Sequence, residues 1–188
     1  MLASIIQNML DLFQKDWLET QSILNDDDHH HPLMLIRQIH PHITRGKQLR
    51  SLLVLTMGHL FGNCNKTHHQ LASIVQSIHG ATLLHDDVID HAQTRHHQPT
   101  AWVEHGNKAS ILVGDYLFSK AFRQIAQLED PFIIKSLAET TKVIVEGEVE
   151  QHQNRGKLNF DETTYFKIIE AKTAELFKQP CALGAYAS

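Results

Sequence analysis

With 188 residues, of which 42% are hydrophobic, the chain is long enough for one domain and carries the material for a sizeable core. A net charge of −4 and a pI near 6.4 give no support for nucleic-acid binding, and no apolar run approaches the roughly 18 residues that cross a bilayer. Cys64 and Cys181 are far apart and suggest neither a disulfide framework nor a zinc motif; with polar Gln7, Asn8 and Asp11 near the start in place of a basic leader, the composition reads as cytoplasmic.

Ile6, Met9, Leu10, Phe13 and Trp17 recur at helical spacing in a first segment, which gives way to a polar loop around Asn25 to Pro32. After a loop containing Pro41, a second helix is expected from about Gly46 to Leu60, stopped by Gly62-Asn63, and a third from about His68 to Asp90. His91 to Gly106 holds Pro99 and few apolar residues, and reads as a functional loop rather than an element. Asn107 can cap a helix through Gln127, and Asp130 followed by Pro131 starts another reaching Gln151. Asn154 to Asn159 is a turn, and Asp161-Glu162 opens a last helix that Pro180 should kink or interrupt. Strand alternation is nearly absent, so residues 1–188 are expected to form a single all-α domain, a bundle whose facing helices project ligands into a central cavity. The 15 histidines, as in His29 to His31, His68-His69 and His96-His97, lie in polar surroundings and read as surface composition rather than metal ligands.

The chemistry concentrates in a few segments. Asp86-Asp87-x-x-Asp90 closes an apolar helical run, with Asp86 and Asp90 one turn apart on one face and Asp87 about 100° around. Carboxylates so close repel one another unless a cation sits among them, and oxygen-only ligands point to Mg²⁺ with its waters and a substrate phosphate. Lys47 and Arg50 are three apart near a helix start, and Gly46 lets the backbone come close to a ligand, a combination suited to an anion. Arg95, just beyond the aspartates, is placed to hold the far side of a diphosphate. Glu146-Gly147-Glu148-Val149-Glu150-Gln151 is too polar for plain core, and Lys172 interrupts an apolar helix face. Each segment alone also reads as a solvated charged surface, and for all but the aspartates that is the simpler reading.

Taken in order, these motifs resemble the trans-isoprenyl diphosphate synthase family, closest to its long-chain bacterial members such as the octaprenyl diphosphate synthases. The resemblance spans about residues 40 to 185: Gly46-Lys47-x-x-Arg50, Ala81 to Asp90, Pro99-Thr100, Gly114-Asp115-Tyr116-Leu117, Glu146-Gly147-Glu148-Val149-x-Gln151 and Lys172-Thr173-Ala174-x-Leu176-Phe177. It implies a prenyltransferase that condenses isopentenyl diphosphate with an allylic diphosphate into a long all-trans polyprenyl diphosphate. Mg²⁺ on Asp86, Asp87 and Asp90 would hold the allylic diphosphate, with Arg95 and Lys172. Lys47, Arg50 and His79 would hold isopentenyl diphosphate, while Thr173 and Gln151 would line the cavity near the allylic cation. The small pair Ala81 and Thr82, one turn before Asp86, would leave room for a long product.

The chain departs from the family pattern in three places. His96 and His97 follow Arg95 where the family has a second arginine and a glycine, so His96 replaces a permanently charged fork that contacts isopentenyl diphosphate. Ser51 follows Arg50 where the family usually has proline. The sequence also stops before a second aspartate-rich motif, so the expected bundle is the N-terminal part of the fold, incomplete at its C-terminus, and catalysis by it alone is expected to be weak or absent. The implied assembly is a homodimer or a heteromer with a complete synthase. Two alternatives stay open: a non-catalytic partner subunit, and a class I terpene cyclase, which needs no Lys47/Arg50 site for a second diphosphate.

Overall fold

Apolar residues at helical spacing make nearly all of the chain helical in a computed structural model that describes residues 2–25, 31–44, 46–157 and 161–188. In order, the elements are α1 (Leu2–Leu12), α2 (Gln14–Asn25), α3 (Met34–Thr44), α4 (Leu49–Phe61), α5 (Lys66–Ile89) and a hairpin of β1 (Thr94–Arg95) and β2 (Gln98–Pro99). They continue with α6 (Ala101–His105), α7 (Asn107–Gln127), α8 (Pro131–Asn154), α9 (Glu162–Ile169), a π-helical turn at Glu170–Ala174 and α10 (Glu175–Tyr186). The expected all-α class is the one found.

Every residue from Leu71 to Ile78 is buried, so α5 is enclosed around its whole circumference. α2, α3, α4, α7 and α10 pack around it. Leu55, Leu71, Ile74, Ile78, Leu137 and Leu183 are essentially solvent-free in one cluster, and burying each contributes roughly 1.5–3 kcal/mol. The start of α5 is fixed by a reciprocal cap. Asn65 Oδ1 accepts from the Thr67 and His68 amides, and His68 Nδ1 accepts from the Asn65 amide at 3.2 Å. His68 Nε2 then donates to Gly184 O at 3.0 Å, which ties α10 to α5. Burial holds the His68 imidazole below its usual pKa. Lys120 of α7 is also buried, and its Nζ donates at 2.8 Å to Leu24 O, satisfying a carbonyl at the end of α2.

Several expectations need correction. The segment around Pro41 is helical: Ile36, Ile39, His40 and Ile43 are buried at helical spacing, and Pro41 sits on the exposed side of α3. The second helix begins at Leu49 rather than Gly46, because Gly46 and Gln48 are left-handed at φ 97° and 43°. His91 to Gly106 is not featureless, since it folds into the hairpin and α6. The hairpin pairs Thr94 with Pro99 and Arg95 with Gln98, and its turn residues His96 and His97 both have positive φ, at 51° and 63°. Positive φ at both turn positions matches the twist of the strands, although Asn-Gly is the usual sequence there.

Asn107 opens α7 without acting as its cap, which is Gly106. Pro180 lies inside an uninterrupted α10, and the irregularity falls earlier, at the π-helical turn. The first helical segment is broken at Phe13, though Phe13 and Trp17 keep amide bonds to Met9 O and Phe13 O. His68 and His69 are not surface composition, being fully buried and half-buried. Asp26, Asp27, Asp28, His29, His30, Arg45, Leu158 and Asn159 lie outside the described residues. Large apolar side chains stay exposed along α7 to α9, among them Leu112, Val145, Val149 and Phe166.

Candidate active site

Asp86 and Asp87 occupy the last turn of α5, and Asp90 is its C-cap. The unpaired carbonyls at that end already carry partial negative charge, so three acids there oppose the helix dipole. The fold answers each with a different cation. Lys172, on the π-helical turn, lies 3.5 Å from Asp86 and 2.7 Å from Glu148 of α8. Arg95 of β1 donates through Nε and Nη2 to Asp87 Oδ1, at 3.0 and 2.7 Å. Arg155, just after α8, reaches Asp90 at 3.2 Å.

Neighbouring aspartates therefore differ. Asp87 is buried and held by Arg95, whereas Asp86 and Asp90 share a face with Glu148, Lys172 and Arg155. Burial pushes the Asp86 carboxyl up to about 6, with Glu148 and Asp90 adding to the shift and Lys172 opposing it. Burial disfavours the charge on Lys172, but Glu148, Asp86 and Asp90 together hold its pKa above the usual lysine value. Three carboxylates against two cations leave room for more positive charge, and an all-oxygen donor set fits a hard divalent ion. The close contact of α8 with the π-helical turn needs Gly147, because a Cβ there would lie 2.7 Å from Ala171 Cβ.

Beside these carboxylates is a cavity of about 480 Å³, in the range that holds a small ligand. Gly46, Lys47, Arg50, His79 and His96 line it together, and Arg95, expected at the allylic diphosphate with Lys172, lines it as well. Arg50 Nη1 donates to His79 Nε2 at 3.0 Å, and its guanidinium lies 4.2 Å from the centre of the Phe177 ring. Among the described residues its Nε is buried with no hydrogen-bond partner, and no carboxylate pairs with the guanidinium. Burial lowers the Arg50 pKa to about 10, which still leaves it charged. Burial, then Arg50 and Arg95, push His79 down to about 3, so its ring is neutral and presents the Nδ1 proton. A half-buried guanidinium with no carboxylate partner, beside a neutral donor, is a site for an anion.

The expected convergence holds in part. Asp87 lines the cavity with Lys47 and Arg50, whereas Asp86 and Asp90 turn toward α8 and the π-helical turn. Gln151 lines a separate recess of about 310 Å³ between α8 and α9, and Thr173 is exposed. Neither therefore joins the cavity, because the π-helical turn brings Lys172 inward and leaves Thr173 outward. Ala81 is fully buried among Ile36, Ile39 and Leu117, while Thr82, one turn before Asp86 on its face, is only half-buried. Glu148, Phe177 and Arg155 join the site without a motif of their own to mark them. The Glu146-Gly147-Glu148 run on α8 and the arginine just after that helix are the sequence signals for two of them.

The combination of helical bundle, C-terminal aspartates on α5 and cationic cavity defines an isoprenoid-synthase type of fold. The polyprenyl synthetase family profile matches residues 34–188, and the chain belongs to that family. Octaprenyl diphosphate synthase of Haemophilus influenzae is 40% identical over 133 residues, which are 71% of this chain and 40% of that protein. The Escherichia coli octaprenyl diphosphate synthase is 35% identical over 78% of this chain and 46% of its own length. The chain thus spans about half the length of the curated relatives it matches. Decaprenyl diphosphate synthase of Rhodobacter capsulatus superposes with a TM-score of 0.91 at 32% identity, over 97% of this chain and 57% of that one. Polyprenyl synthase of Caulobacter crescentus, complexed with calcium and isoprenyl diphosphate, gives 0.90 at 34% identity, over 97% and 56%.

Proposed function

We propose that the chain carries the two diphosphate sites of a long-chain prenyltransferase, which condenses isopentenyl diphosphate with an allylic diphosphate. The observation that supports this most is the uncompensated Arg50 in a cavity next to, but distinct from, the carboxylates of Asp86 and Asp90. Lys47, Arg50 and the Nδ1 proton of His79 bind the diphosphate of isopentenyl diphosphate, with Gly46 allowing close backbone approach. His96 adds an imidazole at the rim. Asp87 acts through Arg95, holding its guanidinium between the two sites.

Asp86 and Asp90 are the direct metal ligands in this reading, and Mg²⁺ suits them because it binds through one or two carboxylates plus substrate phosphates. When bound, it would supply the charge that stabilises the leaving diphosphate. Lys172 and Arg95 contact the allylic diphosphate. As the allylic carbon–oxygen bond breaks, the electron pair leaves with diphosphate, and the double bond of isopentenyl diphosphate attacks the cation. Loss of a proton restores a double bond. Thr82 shares the Asp86 face and leaves space for a growing chain; Ala81 supports it from the packed side. Gln151 acts from the neighbouring recess, and exposed Thr173 from the outer side of the π-helical turn. The reaction belongs in the cytoplasm, where Cys64 and Cys181 stay reduced.

Incubating the chain with isopentenyl diphosphate, farnesyl diphosphate and Mg²⁺ tests this reading. It predicts a prenyl diphosphate lengthened by at least one isoprene unit. Failure to turn over and failure to bind isopentenyl diphosphate would together refute it. A second reading, a subunit of a heteromeric synthase, is favoured by His96 in place of an arginine and by likeness to heptaprenyl diphosphate synthase component 2 of Bacillus subtilis, 31% identical. It predicts binding without turnover, with turnover appearing once a complementary synthase subunit is added.

A further inference from the structure

At the end of α5 away from the aspartates, nitrogen, oxygen and sulfur donors from separate elements meet. Asp16 of α2 accepts from His69 Nε2 through Oδ1 and from His59 Nε2 through Oδ2, both at 2.8 Å. Cys64, in the turn between α4 and α5, faces the same carboxylate, and a carboxylate oxygen of Asp16, Cys64 Sγ and a ring nitrogen of His69 all lie within 4.8 Å of one another. The side chains of Asp16 and His69 are only 17% and 13% exposed, so this is not solvated surface. His59 is held in place from outside, its ring stacked on Phe13 at 4.4 Å and 6°.

We infer that Asp16, Cys64 and His69 form a site for a divalent transition metal, with Zn²⁺ the best match, closed by a water as fourth ligand. Tetrahedral zinc with bonds of about 2.0–2.3 Å sets its ligand atoms about 3.3–3.8 Å apart. The His69–Asp16 pair must open by about half an ångström and Cys64 must close by at most about 1 Å, which side-chain rotation supplies. A thiolate and an imidazole select zinc over magnesium, so this site and the all-oxygen end of α5 take different ions. His59, bonded to the second oxygen of Asp16, orients the carboxylate as an outer-shell donor. A metal there joins α2, the α4–α5 turn and α5, and pins the N-terminal helices to the bundle.

The test uses the full chain, stripped with chelator and then supplied with excess Mg²⁺ to fill oxygen-only sites. Titration with Co²⁺ should show one equivalent bound, with a near-ultraviolet thiolate-to-cobalt band that Zn²⁺ displaces. Zn²⁺ at a hundredfold excess over Kd should raise Tm by about 5–10 °C. Cys64→Ser, nearly isosteric and checked for folding by circular dichroism, should lose the band and weaken Zn²⁺ binding at least tenfold, while Cys181→Ser should change neither. Asp16→Asn should keep the thiolate band but weaken binding. A cobalt complex without a thiolate band, or a band that survives Cys64→Ser, would overturn the assignment.

Discussion

The two ends of α5 obey opposite rules. At its start, Asn65 and His68 satisfy each other and the orphan amides of the first turn, and His68 goes on to bond Gly184 O. At its end, Asp86, Asp87 and Asp90 oppose the helix dipole and need Lys172, Arg95 and Arg155 to neutralise them. Local consistency marks the end that holds the fold together, and local conflict marks the end proposed for chemistry.

The sharpest way to break this contrast is to exchange a residue at each end. Asp86→Asn should cut any prenyl transfer by several orders of magnitude while leaving Tm unchanged or raised, because it removes a carboxylate from a crowded helix end. Asn65→Ala should do the reverse, costing about 1 kcal/mol and roughly 2–4 °C in Tm with turnover per folded molecule unchanged. Steady-state rates and thermal denaturation of both variants check the pair. A large loss of stability in Asp86→Asn would erase the distinction.

A smaller effect should appear with pH. The folded chain holds the Asp86 proton up to about pH 6, whereas the unfolded carboxyl releases it near 3.8. Between those values folding takes up a proton, so this group's contribution to stability falls as pH rises and its cost is complete above about 6. Denaturation at pH 4.5 and 7 should show a steeper loss in the native sequence than in Asp86→Asn; equal slopes would mean that Asp86 is not desolvated. The smallest effect concerns the hairpin that aims Arg95. His97 sits at φ 63°, so His97→Gly should stabilise by about 1 kcal/mol in denaturant unfolding and leave diphosphate binding intact. Destabilisation would mean that the His97 side chain makes a contact worth more than its backbone strain.

Much of this was legible in the sequence, for physical reasons that also explain the rest. α5 and the Asp130-Pro131 start of α8 follow from periodicity and capping chemistry, and Lys47, Arg50 and His79, grouped by the motif order, line one cavity. α3 was obscured by Pro41, although Ile36, Ile39 and Ile43 carried its period. The hairpin was hidden because His-His lacks the usual left-handed turn residues. Local spacing could not reveal that a π-helical turn would aim Lys172 at Asp86 and leave Thr173 outside. Nor could it bring Asp16 to Cys64 and His69, which are joined only by tertiary packing.

The most direct measurement is calorimetric binding of isopentenyl diphosphate with and without Mg²⁺. Because the cavity proposed for it supplies Lys47, Arg50 and His79 as donors and leaves Asp86 and Asp90 on another face, binding should persist with EDTA present. Arg50→Ala should weaken it by roughly 10–100-fold, and Asp86→Asn should leave it nearly unchanged. Binding that requires Mg²⁺ and Asp86 but ignores Arg50 would contradict the existence of two separate diphosphate sites.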